Sequence, residues 1–115
     1  MLFLLKEGKR KGQIIMWLND KEEKIYGPFL DYIESHENEK FRFVYADGTE
    51  LIVEFETFYE SENLLEPDDK NYEEFWESAF KILKVVKDDK NIYEVGKYVL
   101  VNYHSVPQKN EVVRQ

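Results

Sequence analysis

Between Phe58 and Trp76 the chain reads FYESENLLEPDDKNYEEFW, where seven carboxylates and one lysine are interleaved with five aromatic rings. Carboxylates at this density can ligate a hard cation, share a proton as a catalytic pair, or present a negative field to a basic partner. Ligation is the weakest of the three. Glu60, Glu62, Glu66, Asp68 and Asp69 supply oxygens, but the stretch has no glycine to turn a ligand loop and no EF-hand spacing. Pro67, Asp68 and Asp69 fit a turn leading into the next element. The chain has no cysteine and only two histidines, His36 and His104, so thiolate and disulfide chemistry is excluded and the spacing favours no zinc site. No metal or other cofactor is expected.

Acid–base catalysis fares little better. Glu54 and Glu56 would stand ~7 Å apart on one face of a strand, yet alternating glutamates on a half-buried strand ordinarily face water. No nucleophile, base and orienting group can be named together, and no phosphate-binding glycine loop, HExxH or GxSxG motif occurs. No catalytic residue is assigned, and the sequence reads against an enzyme.

What remains is charge. Net charge is −8, and its distribution is uneven: residues 1–46 balance, residues 47–78 carry twelve carboxylates against Lys70 alone, and residues 79–115 are net positive. Such a field repels nucleic acid and anionic membrane and favours a basic protein. The cluster Lys6, Lys9, Arg10 and Lys11 near Trp17 is too small to reverse that expectation. The expected partner-binding set is Glu54, Glu56, Tyr59, Glu60, Glu62, Glu66, Asp68, Asp69, Tyr72 and Glu73, with exposed rings as hot spots. A non-enzymatic interaction module fits this pattern physically, whether an immunity protein against a nuclease-type toxin or an inhibitor that mimics DNA. The alternative is a small-molecule or carbohydrate-binding β-domain, or a minor enzyme, with an aromatic pocket and an acidic rim. A structural subunit pairing through a strand edge is a third reading, and composition does not choose between monomer and homodimer.

These residues need elements to hold them. The 115 residues, 43% apolar and 16% aromatic, suffice for one domain, with a loose tail expected after Pro107. FRFVY and LIVEFET both alternate, and a three-residue loop Ala46-Asp47-Gly48 with left-handed Gly48 would set Phe43 opposite Leu51 and Phe41 opposite Val53. A two-residue Asp-Gly turn would pair Phe43 with Ile52 and oppose an aromatic face to an acidic one. Further strands are expected at Gln13–Leu18 and Lys97–Tyr103, with Leu2–Lys6 pairing to the former across EGKRKG. Gly27-Pro28 interrupts Lys24–Glu34, and FLDYIES after it is read as strand.

NYEEFWESAFKILKVV sets its apolar residues along one helical stripe, and Asn71 with Glu74 makes a capping box. The rival is a short helix to Ser78 followed by a strand AFKILKVVK. Phe41, Phe43, Phe55, Trp76 and Phe80 are expected in the core. The class is α+β: a twisted, mostly antiparallel sheet of about five strands, open or curled into a small barrel, with one amphipathic helix starting near Asn71. The apolar-then-basic start is not a secretory signal, and no window is long enough to span a bilayer, so a cytoplasmic protein is expected. Thirteen lysines against three arginines suit an AT-rich bacterial genome.

Overall fold

Lys40–Val44 (β3) and Glu50–Glu62 (β4) form the hairpin expected of their alternation, with Phe41 opposite Val53 and Phe43 opposite Leu51. The turn is the three-residue one. The Tyr45 N–H donates to the Thr49 carbonyl at 2.8 Å, the Gly48 N–H to the Tyr45 carbonyl at 2.9 Å, and Gly48 sits at φ +91. Both apolar faces therefore coincide, and Phe41, Phe43, Leu51 and Val53 are fully buried. The computed structural model describes residues 4–10 and 13–114.

Glu74–Lys87 (β5), Tyr98–Val101 (β6) and Lys109–Val113 (β7) complete an open antiparallel sheet of order β6-β5-β4-β3-β7. Leu4–Arg10 (β1) and Gln13–Trp17 (β2) make a separate two-stranded hairpin. Of the strand expected at Leu2–Lys6, residues 2 and 3 lie outside the described part; β1 extends through EGKR, and residues 11 and 12 of the expected EGKRKG turn also lie outside it. The α+β class stands, but its helix is elsewhere than expected. No helix starts near Asn71: residues 74–87 form a strand paired with β4 along nearly its whole length, so the rival reading holds for its strand AFKILKVVK but not for its short helix to Ser78. Phe75, Ala79, Phe80 and Ile82 are all buried, because α1 covers one face and residues 102–106 fold against part of the other. A strand buried on both faces loses its period of two and can imitate a helical stripe. Asn71 caps nothing; it lies in a turn, its N–H bonded to Asp69 Oδ1 at 2.8 Å. The segment after Pro107 is not a loose tail, since β7 pairs with β3 over Lys109–Val113.

The one helix among the described residues is Asp20–Ser35 (α1), which runs straight through Gly27-Pro28 and converts FLDYIES from expected strand to helix. Its start is well specified: the Asn19 side chain accepts the Glu22 N–H at 2.8 Å, and Asp20, Glu22 and Glu23 suit the positive end of the dipole. Tyr26, Phe29, Leu30 and Ile33 recur at helical spacing and are buried, while Pro28 is exposed. A mid-helix proline costs roughly 3 kcal/mol. Burying four large side chains at about 1.5–3 kcal/mol each outweighs it. Phe29 meets Phe43 and Phe80 with ring centroids 5.8 Å apart, and Tyr32 meets Phe41, so α1 lies across β3 and β5. Phe55 and Trp76, expected in the core, pack half-buried at its margin. No helix among the described residues is long and apolar enough to cross a membrane.

Two buried polar side chains fix where α1 sits. Glu22, fully buried, accepts the Leu18 N–H at 3.0 Å with one oxygen and the Trp76 N–H at 2.7 Å with the other. One turn on, the Tyr26 hydroxyl donates to the Val101 carbonyl at 2.9 Å and shares a hydrogen bond with the Ser78 hydroxyl. Burial raises the Glu22 carboxyl above its ordinary 4.5; the two backbone N–H groups pull it down less, and Glu73 and Glu60 add repulsion. The native state therefore holds this proton more tightly than the unfolded chain. The stabilisation is full below about pH 4.5 and is lost as pH climbs through the raised native value.

Glu22→Ala leaves two buried N–H groups without acceptors and should cost about 2–4 kcal/mol in urea unfolding. Glu22→Gln should also be less stable, and the wild-type advantage over it should shrink as pH rises above 4.5. A gap that widens with pH would contradict the assignment.

Candidate interaction surface

β4 and β5 are much longer than their neighbours. β3 pairs with β4 only as far as Glu54, and β6 pairs with β5 only between Ser78 and Lys81. Beyond those limits Thr57–Glu62 and Glu74–Glu77 continue as a two-stranded arm closed by the loop 63–73. An isolated hairpin is marginal in water, so its side chains must stiffen it. Phe58 and Trp76 stack with centroids 4.7 Å apart and planes 16° from parallel. The Tyr59 hydroxyl donates to Glu77 Oε1 at 2.7 Å, and Asn102 Nδ2 donates to the other Glu77 oxygen at 3.1 Å. At the loop end of the arm Glu73 takes the Tyr103 hydroxyl and His104 Nε2, the latter at 2.6 Å, while nearer the sheet Glu22 holds the Trp76 N–H.

The loop is organised around Asn63. Its N–H donates to the Glu73 carbonyl at 3.1 Å and its Nδ2 to the Asn71 carbonyl at 2.8 Å, while its Oδ1 accepts the Glu73 and Leu65 N–H groups. The turn Glu66–Asp69 is closed by the Asp69 N–H on the Glu66 carbonyl at 2.9 Å, and the Tyr72 N–H bonds the Asp69 carbonyl at the same distance. Glu62 lies directly opposite Glu74 at the end of the ladder, a like-charge pair that costs stability. The Tyr72 hydroxyl, donating to Glu62 Oε2 at 2.5 Å, offsets part of it.

Phenols replace cations as the neighbours of these carboxylates. Burial and then the Glu77 bond raise Tyr59 to about 12, burial and then Glu73 do the same for Tyr103, and the Glu62 bond leads for Tyr72, also about 12. All three stay protonated donors at neutral pH. They orient the carboxylates without cancelling their charge. Among the described residues no Lys or Arg forms an ion pair with Glu60, Glu62, Glu66, Asp68, Asp69 or Glu74.

The arm and its loop gather eight of the ten candidate residues: Tyr59, Glu60, Glu62, Glu66, Asp68, Asp69, Tyr72 and Glu73. Glu60, Glu62, Glu66, Asp68 and Asp69 are exposed, and both tyrosine rings are half-buried. Glu54 and Glu56 lie apart. Eight residues of extended strand, roughly 26 Å, separate Glu54 from Glu62. The former pair instead walls a cleft of about 270 Å³ at the C-terminal end of α1, with Glu34, His36, Glu37 and Glu39. Phe55 is the only ring of Phe, Tyr or Trp in that wall. Among the described residues no group of three or more His, Asp or Glu is placed to hold a metal ion. Sequence reasoning missed Asn63, Leu64 and Leu65, at the end of the arm; the dipeptide Leu-Leu inside an acidic run was the available signal.

Asn63→Ala removes the hub of the loop but no core contact. Amide hydrogens of residues 63–73 should exchange at least about tenfold faster, with global stability changed by under about 1 kcal/mol. Unchanged loop exchange would contradict the role given to Asn63.

Comparison with known proteins adds one relation. No curated protein and no solved structure matches the chain. A family model described as cognate immunity protein YxxD matches residues 24–106, which span most of α1, β3–β6 and the whole arm. The match covers well over half of the 115 residues. The chain therefore belongs to the YxxD family of cognate immunity proteins, and it is an interaction module that binds a partner protein, its toxin.

Proposed function

We propose that this immunity protein neutralises a basic, nuclease-type toxin by presenting the acidic end of the β4–β5 arm to the toxin's substrate-binding face. The observation that carries this reading is the excess of twelve carboxylates over one lysine in residues 47–78, much of it on the arm and its loop, where Glu62 is held by the Tyr72 phenol and no described Lys or Arg pairs with Glu60, Glu62, Glu66, Asp68, Asp69 or Glu74. A face that binds the phosphate backbone is necessarily rich in Lys and Arg. A hydrogen-bonded arm and loop bring their carboxylates to such a face with little backbone reorganisation, and a complementary field accelerates encounter. Glu60, Glu62, Glu66, Asp68, Asp69 and Glu74 form the docking group, with Tyr72 at its margin. Glu54 and Glu56, farther back along β4, are not included in the proposed group.

The test uses the toxin encoded beside the immunity gene. Titration calorimetry and stopped-flow association between about 50 and about 500 mM salt should show affinity falling, chiefly through a slower on-rate. The triple reversal Glu60→Lys, Asp68→Lys and Asp69→Lys should weaken binding by about a hundredfold or more and flatten the salt slope, whereas Glu54→Lys with Glu56→Lys should have a far smaller effect. Affinity that ignores ionic strength would overturn the reading.

A further inference from the structure

Leu64 is the least protected large apolar side chain among the described residues, 93% exposed where the other seven exposed ones lie between 40% and 64%. Its backbone is as unusual as its exposure. Among the described residues three non-glycine residues have positive φ: Asn38, Asn91 and Leu64 at φ 67. Asparagine tolerates this region because its short polar side chain bonds locally, whereas a bulky apolar residue adopts it at a cost. The surrounding bonds impose the conformation. Asn63 is tied to Glu73 and Asn71 on one side, and its side-chain oxygen holds the Leu65 N–H on the other. The chain thus gives up stability to hold an apolar side chain in water in the loop that closes the arm, with Leu65 beside it 40% exposed. A single exposed leucine is ordinary on a protein surface. One that is nearly bare, held left-handed and set on a stiffened projection is not explained by folding.

We propose that Leu64 is the apolar anchor of the complex, seated with Leu65 in an apolar pocket inside the basic face of the toxin. The inference rests on the reading of the arm given above and adds to it the contact that supplies most of the residence time. The occupant is a basic protein because Glu62, Glu66, Asp68 and Asp69 flank the two leucines in the chain, and no described cation pairs with them. A second copy of this chain would bring like charges together at that point. The arrangement is that of a hot spot: a desolvated apolar centre inside a polar rim, with the rim governing association and the centre dissociation.

Leu64→Gly separates anchor from fold, since glycine accepts positive φ without strain. The variant should keep or raise the Tm. It should bind the adjacent-gene toxin about thirtyfold more weakly or worse, through faster dissociation and with the wild-type salt slope retained. A Leu64→Gly affinity within about twofold of wild type would overturn the anchor. In that case a retained salt slope leaves the acidic reading standing. A wild-type affinity indifferent to salt overturns the acidic reading instead, and absence of any complex overturns both. Leu64→Met, which keeps an apolar side chain at the same place, should restore most of the affinity, and failure to do so would also count against the anchor.

Discussion

One carboxylate inside the protein determines where the acidic arm points. Glu22 accepts two backbone N–H groups, that of Leu18 before the helix and that of Trp76 on β5. Burying this side chain is unfavourable enough to raise its proton affinity even with both bonds made. The gain is geometric. Leu18, the first turn of α1 and the root of the β4–β5 arm become one rigid unit, and Tyr26 repeats the connection one turn later through Ser78 and Val101. The Phe58–Trp76 stack, the Asn102 bond to Glu77 and the Glu73 contacts at the loop end restrain the arm further.

From that anchor the chain builds outward with steadily less apolar material. The sheet under α1 is aromatic and closed, with Phe29, Phe43 and Phe80 in mutual contact. Along the arm the stabilising contacts become phenol–carboxylate hydrogen bonds, and in the final loop they are the bonds of a single asparagine. Each step outward exchanges burial for polar bonds. A surface of this kind is preorganised for a cationic partner, because the repulsion among its charges has been accepted during folding and is relieved on binding.

Much of this was legible in the sequence, and the failures have physical causes. Alternation in FRFVY and LIVEFET, with Asp47-Gly48 between them, fixes the hairpin register because only one loop length lets both apolar faces coincide. The helix was misplaced twice over. Gly27-Pro28 argued against Asp20–Ser35, although tertiary burial of Tyr26, Phe29, Leu30 and Ile33 overrides one proline. Residues 74–87 imitated a helix because a strand covered on both sides shows no alternation. The acidic segment was visible as charge, but its division was not: that Glu54 and Glu56 stand apart from the rest follows from how far β4 outruns β3, a relation between strands that no local pattern encodes. Leu64 passed unnoticed because exposure and backbone sign appear only once the loop is closed.

Hydrogen exchange of this chain, free and bound to its cognate toxin, tests the account most directly. Residues 58–76 should gain strong protection on complex formation, while β6 and the loop before it, residues 88–101, should exchange as they do in the free protein. Protection of residues 88–101 with residues 58–76 unaltered would place the contact on the opposite end of the sheet and contradict the role assigned to the arm.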